Sequence, residues 1–521
     1  MGWQADSPWQ AVVSAALLGT ERQPFTSPTA PGKLGQLLAQ LTSHAPESAL
    51  LTAAAALSLH QRAGWFPENY SGSAPAPCSL DDLPRCSTRA GRFLQQMLQR
   101  QYSPVLPEWL GLATQLGQRV PDIYLPQLLN LGQQQRDLRS LILPVLGQRG
   151  RWLAAQNLDW SYAVEVATEA DWETGSQAAR LLYLKELRSQ DPERARELLA
   201  ATWSHEPASD RTQFLETFRT GLSLADEPFL EEALTDRSKE VRRTAADLLA
   251  SLPESRLCQR LAEQVQQHIF LNPTQVPTLT VQLPDSLNPA LIHDGIEPKP
   301  SQFVATQLGE KAWWLLQMIG ATPLSFWSET WKIPPAEIVG HAKDHEWEAV
   351  LLEGWALAAK RQQNADWVQA LLGIWLAEGV VRTPVLPDVR LDSLLNILSF
   401  NQQSAVLVDL LKSGPGKVND FLTLSLLRSR DGWSLKLAET VLDHLEDYLS
   451  HQNPAMNQAW ELHAALKEFA RVIPIGLLPR AVQLQEGLPP DSPWAASVRE
   501  FLALLRFRQK MVQAFEVTDS G

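Results

Sequence analysis

The chain has 521 residues, 45% apolar and 20% charged, with a net charge of −13. That balance excludes an intrinsically disordered chain, and no apolar run reaches the roughly 18 residues a membrane helix needs, so no membrane partner is expected. Three cysteines, Cys78, Cys86 and Cys258, are too sparse for a disulfide scaffold and point to a reducing compartment, with a cytoplasmic location as the expectation.

Charge is unevenly spread. Residues 1–160 carry 12 Lys+Arg against 10 Asp+Glu, net +2, whereas residues 161–521 carry 33 against 48, net −15. The acidic part repels nucleic acid and anionic lipid at long range, so a nucleic-acid partner is not expected there. Tryptophan is abundant, 19 against 6 Tyr. Its large apolar area suits helix packing; a row of exposed Trp on a binding face is the other reading.

The first segment, 1–160, reads as a helical domain. A helix is predicted at Pro8–Thr20, with Trp9, Val12, Val13, Ala16 and Leu17 at helical spacing and Gly19 as its stop. Ala11–Leu18 is apolar, but no Lys or Arg precedes it, so no secretion signal is expected. An Ala/Leu-rich helix follows at Ser48–Ala63, then a loop at Tyr70–Cys78, and helix again from Thr88 to Gln101. Pro104, Pro107, Pro121, Pro126 and Pro144 then keep the helices short.

In the second segment, 161–270, helix starts are marked near Ser176, Pro192, Asp210, Pro228, Ser238 and Pro253. Two helices make one unit at these intervals. Val241, Ala245, Leu248, Leu249 and Leu252 form one apolar stripe, with Arg242, Arg243 and Asp247 off it. The stretch from Leu234 to Leu249, with Asp236 in a turn and Val241-Arg242 in the following helix, resembles a HEAT repeat. One such pair cannot bury its stripe alone, so neighbours must stack on it.

Six prolines between 271 and 305, Pro273, Pro277, Pro284, Pro289, Pro298 and Pro300, exclude a long helix; alternation at Leu279, Val281 and Leu283 allows one short strand. A linker or crossing loop is expected. Residues 306–521 are helical again. Trp347, Val350, Leu351, Trp355 and Ala358 share a face, a turn follows at Gln363–Ala365, and Trp367, Ala370, Leu371 and Ile374 share the next face. The last helix starts at Ser492-Pro493 with an apolar face of Val498, Phe501, Leu502 and Leu505. The fold class expected is all-α, an α-solenoid of HEAT-like helix pairs interrupted by the Pro-rich segment.

Several blocks resemble an uncharacterised bacterial family, a domain of unknown function: Ala15-Ala-Leu-Leu-Gly-Thr20-Glu-Arg22, Leu106-Pro-Glu-Trp-Leu110, Gly147-Gln-Arg149-Gly-Arg151-Trp152 continuing to Asn157-Leu-Asp-Trp160, and Asp294-Gly-Ile296. The usual Asn-Pro-Asp-Trp ending stands here as Asn157-Leu158-Asp159-Trp160. The resemblance implies a gene neighbourhood of MoxR-type AAA ATPases, von Willebrand A-domain proteins and SWIM zinc-finger proteins. It thus implies a role in a chaperone-like assembly with an AAA ATPase or A-domain partner. It supplies no catalytic residue.

Motifs that carry chemistry are few. His341 and His345, four apart on an expected helix, could share a face and chelate a metal, but Ala342 stands where the metalloprotease signature needs Glu, and a solvated face is the simpler reading. No cofactor, metal or catalytic residue is expected. The candidate site is Arg149, Arg151 and Trp152, with Asn157 and Trp160 beside them and Arg136 and Arg139 upstream. Arg forks bind carboxylates or phosphates and Trp can stack under them. Alternatively these Arg cap helix ends or pair with the acidic remainder. Gly150 is expected to supply a backbone conformation that a side chain would forbid. The function expected is a non-enzymatic scaffold or adaptor binding protein partners. A HEAT-like nucleic-acid enzyme of the DNA-glycosylase kind is the alternative, and it would need a basic concave face.

Overall fold

Ser and Asp at helix starts do what their side chains allow. The Ser176 hydroxyl accepts from Ala179 N–H at the head of helix Gln177–Gln190, and Asp191 accepts from Arg194 N–H before Pro192–Thr202. Pro228 sits in the first turn of Glu227–Ala233. Two of the expected starts are displaced by a few residues: the helix near Asp210 begins at Ala208, and the one near Pro253 begins at Arg256, capped by Ser255.

The computed structural model describes residues 8–22, 25–43, 45–63, 76–81, 83–164, 169–272, 278–300, 308–377, 386, 389–412, 427, 432–451, 456–489 and 492–516. Most of the loop expected at Tyr70–Cys78, and Pro273 and Pro277, lie outside them. Among the described residues helix accounts for 73% and strand for 2%, so the chain is all-α. None of the described helices is long and apolar enough to cross a membrane.

The chain divides into two units, Met1–Pro77 and Cys78–Gly521. In the first, helices Pro8–Leu18, Gly32–Gln40 and Pro46–Ala63 enclose a small core of Val12, Leu38, Leu41, Ala49, Ala53 and Leu57. The first helix buries Val12 and Ala15, while Leu17, expected on its inner face, is 82% exposed. Gly19, with φ +82°, ends that helix as expected.

In the second unit one continuous core runs from Cys86 to Phe515. The stripe Val241, Ala245, Leu248 and Leu249 on helix Lys239–Ala250 is fully buried. Helices Glu348–Arg361 and Ala365–Ala377 pack against each other across the turn Gln362-Gln363-Asn364, with Gln363 at φ +51° and the Trp355 and Trp367 rings 5.7 Å apart. Many tryptophans are spent this way: Trp109, Trp327 and Trp355 are fully buried.

The Pro-rich stretch differs from expectation. Ile269–Asn272 and Thr278–Val281 pair antiparallel as a two-stranded hairpin, Ile269 opposite Val281, and a short helix Pro289–His293 follows. The second strand was legible by its alternation. The first was not, because a strand of four residues at the end of a helical segment has no periodicity long enough to read.

Ion pairs linking residues 25 to 38 apart recur through this unit. Arg180 pairs with Glu206, 26 residues on, Arg188 with Asp226, 38 on, Arg211 with Asp236, 25 on, and Arg219 with Asp247, 28 on. Arg260 joins Glu231, 29 before it, to Asp294, 34 after it. Asp236 also accepts from Ser238 N–H, fixing the turn before helix Lys239–Ala250.

The last helix, Ala495–Glu516, returns to the start of the unit. Phe507 stacks on Tyr102 at 4.2 Å and meets Phe93 edge-on, Phe515 packs on Trp109, and Ser87 Oγ donates to Ala514 O.

Candidate functional site

The residues singled out from sequence lie together. Arg149, Arg151 and Trp152 sit on helix Gly147–Ala155, Asn157 caps the short 3₁₀ segment Leu158–Ala163 after it, and Trp160 lies within that segment. The Asn157 side chain accepts from Asp159 N–H, and Trp160 Nε1 donates to Asn130 Oδ1. Leu158, where the resemblance has Pro, opens the 3₁₀ segment at 94% exposure. A Pro would also fit there, because the first residue of such a turn needs no N–H partner inside it.

The Arg residues divide by role. Arg139 donates to Gly132 O and stacks over the Tyr162 ring at 4.4 Å. Arg149 pairs with Asp122 at 2.7 Å, and its backbone N–H donates to Asp81 Oδ1. Arg151 is exposed and makes no ion pair among the described residues. Gly150 corrects the expectation made for it. It lies inside regular helix, and a Cβ there would come within 3.0 Å of Leu125 Cδ2, so close packing requires it, not backbone conformation. Gly147 is the residue with positive φ, +64°, and its Cβ would strike Asp81 Oδ1 at 2.4 Å. Asp81 thereby reaches the helix N-terminus, where a carboxylate is favoured.

His341 and His345 do not share a helix face. Helix Pro335–Ala342 ends before His345, Asp344 takes φ +61°, and His345 Nδ1 accepts from Trp347 N–H. Among the described residues no group of three or more His, Cys, Asp and Glu is placed to hold a metal ion. All three cysteines are free; burial pushes the Cys258 thiol up to about 11.

A second site was not legible from sequence. A cavity of about 440 Å³ opens between helices Lys239–Ala250, Arg256–Val265, Glu310–Ala321 and Glu348–Arg361. Its floor is apolar: Ala246, Ala250, Leu257, Leu261, Ile296 and Leu357. Asp247, off the apolar stripe as read from sequence, bridges Arg219 at 2.7 Å and Arg361 at 2.9 Å. Arg361 also donates to Gly320 O. Burial alone would raise the Asp247 carboxyl; Arg361 and then Arg219 outweigh it and hold the carboxyl at about 2. The pairing of positions 247 and 361 leaves no local signal, being 114 residues apart.

The Asp294-Gly-Ile296 block forms another wall. Asp294 is buried and takes Arg260 Nε and Nη2 at 3.1 and 2.7 Å. Gly295 has φ +88°, and a Cβ on it would lie 2.4 Å from Ala246 Cβ, so only glycine lets the block lie on the 239–250 helix. Gln317 fixes the next residue from both sides, accepting from Glu297 N–H and donating to Glu297 O.

Asp247 has its pKa lowered from 3.8 to about 2, so its contribution to stability is present above the unfolded value and is lost as pH falls through about 2. Wild type is therefore expected to exceed Asp247→Asn in urea-unfolding free energy by about 2 kcal/mol near neutral pH. That gap should shrink as pH drops from about 4 towards 2. A gap that is flat across that window would remove the carboxylate from this role.

A mostly helical unit with a charged cavity and a cationic helix elsewhere on its surface is the class the geometry defines. The chain belongs to a family of unknown function (DUF5691), whose pattern matches residues 11–515. No curated protein and no solved structure matches it.

Proposed function

We propose that this chain is a non-enzymatic scaffold of stacked HEAT-like helix pairs that works by binding other proteins in the cytoplasm. The ladder of Arg–carboxylate pairs carries the reading. The pairs named above, from Arg180 to Arg260, link residues 25 to 38 apart, about the length of one helix pair, beside several pairs three residues apart within single helices. Repeat proteins are held in this nearest-neighbour fashion, and their extended surfaces serve recognition. The stretch at 234–249 supports it further, with Asp236 in the turn held by Arg211 of the preceding pair and Val241 buried behind it.

Arg151 and Trp152, with Arg149 beside them and Asn157 and Trp160 shaping the turn, form the patch proposed to meet an acidic partner surface. Arg and Trp are the side chains that most often anchor interfaces. The partners to try are those the sequence blocks imply, a MoxR-type AAA ATPase and a von Willebrand A-domain protein. The cavity wall carries four carboxylates, Glu216, Asp247, Asp294 and Glu297, against three guanidiniums, Arg219, Arg243 and Arg361, a balance that suits a protein or organic ligand better than a phosphate backbone.

The test is direct binding of each purified partner by calorimetry. Arg151→Glu should weaken the complex by about ten- to a hundred-fold, on the order of 2 kcal/mol, with an unchanged melting curve because Arg151 is exposed. Undiminished binding by that variant would take the patch off the interface. Tight, salt-sensitive binding of duplex DNA with no binding of either protein would replace the scaffold reading with the nucleic-acid one.

A further inference from the structure

Most of the cavity's charges are held in pairs, and the loosely held cation says what is missing. Glu216 is taken by Arg219, Asp247 by Arg219 and Arg361, and Asp294 by Arg260, while Glu297 meets exposed Lys239 at 3.5 Å through one oxygen and its buried Oε1 has no partner among the described residues. Arg219 and Arg361 are spent in the same pairs. Arg243 is different. Its side chain is 64% exposed, and among the described residues its only ion pair is with Glu240, one turn back on the same helix, at 3.7 Å. Such exposed pairs are worth a few tenths of a kcal/mol, so Arg243 can turn to a better anion at little cost.

The floor below Arg243 is apolar, and the walls are pinned. The Arg260–Asp294 clamp and the Arg219–Asp247–Arg361 bridge keep the 239–250 helix, the 294–297 block and helix Glu348–Arg361 in place, so the cavity does not depend on a ligand to form. Its volume of about 440 Å³ falls within the roughly 300–1,000 Å³ that holds small organic ligands. Trp313 in the wall is only 8% exposed, and its indole N–H has no acceptor among the described residues. A buried donor left unpaired is uncommon enough to ask for an explanation.

We propose that this cavity binds a compact apolar group bearing a single carboxylate, with the apolar body on Leu257, Leu261, Ile296 and Leu357 and the carboxylate held by Arg243. A free organic acid and the C-terminal residue of a peptide present that same chemistry. The site is independent of the Arg149–Trp160 patch, so either can fail without the other.

Calorimetric titration of the full chain with 4-phenylbutyrate and with its amide tests the charge requirement. The acid should bind, and the amide should bind about tenfold more weakly. Arg243→Gln should bring the acid down to the level of the amide without moving the amide, and Arg243→Lys should restore part of the difference. Since Arg243 is exposed, both variants should fold. Equal binding of acid and amide, an unaffected Arg243→Gln, or no binding of the acid at about 5 mM would each overturn the proposal. An acetylated tetrapeptide ending in Phe with a free carboxylate, titrated against its amidated form, separates the sources. Tighter binding than 4-phenylbutyrate assigns a chain terminus, and weaker binding assigns a free acid.

Discussion

Arg188→Ala will lower the unfolding free energy by about 3–5 kcal/mol, the cost typical of stranding one partner of a buried ion pair. Arg188 and Asp226 are both completely shielded from solvent. The guanidinium donates to both Asp226 oxygens at 3.0 and 2.9 Å, and to the carbonyls of Thr220, Pro192 and Gly221. It also stacks over Phe218 at 4.2 Å. Truncation would take a charged donor from those carbonyls and leave Asp226 with Arg196 and the Ser223 N–H, each at 3.1 Å. Arg188→Lys should recover little, because an ammonium cannot fill a planar fork with five donors. The double variant Arg188→Met/Asp226→Leu should cost less than Arg188→Ala, since it removes both charges together. Urea denaturation followed by circular dichroism decides this. A loss below about 1 kcal/mol for Arg188→Ala would mean that the pair is solvated in solution.

Much of the helical frame was legible because helices announce themselves locally. Ser176, Pro192, Pro228 and Ser238 mark starts that the structure places within about one residue, and the Val241–Leu249 stripe is buried as its spacing requires. Positions whose role depends on distant partners were misread or missed. Leu17 has the right spacing for a core face, but the helix turns Val12 and Ala15 inward instead. His341 and His345 have metal-site spacing only while the helix continues, and a left-handed Asp344 ends that. The residues proposed as a patch, Arg149 to Trp160, were singled out by residue type, local charge and the family blocks together, and they fall on one helix and the turn after it. The cavity was not legible, because Asp247 and Arg361 are 114 residues apart and the Asp294-Gly-Ile296 block says nothing in sequence of its Arg260 partner.

Arg508 shows the same blind spot, and its replacement makes the second large prediction. It continues the stripe Val498, Phe501 and Leu505 into the next turn, where a charge stands in place of an apolar residue. The reason lies about 400 residues away. Arg508 Nε and Nη2 grip both oxygens of Glu108 at 2.6 and 2.8 Å, while Nη1 donates to Ala470 O and Ile473 O. Arg508→Ala should cost about 3 kcal/mol, at the lower edge of the buried-pair range. Glu108 is 28% exposed and can regain water, whereas the two carbonyls lose a charged donor. The loss should be local in a way that a simple core defect would not be. Amide hydrogen exchange should rise in Thr88–Gln115 and in Ala495–Glu516 together, while protection in the helices between 177 and 265 stays near that of wild type. Glu108→Gln should reproduce the pattern at smaller amplitude, because a neutral amide still accepts from Arg508. Uniform exchange across the unit, or a rise in one segment without the other, would show that this clasp does not join the last helix to helix Leu106–Gln115.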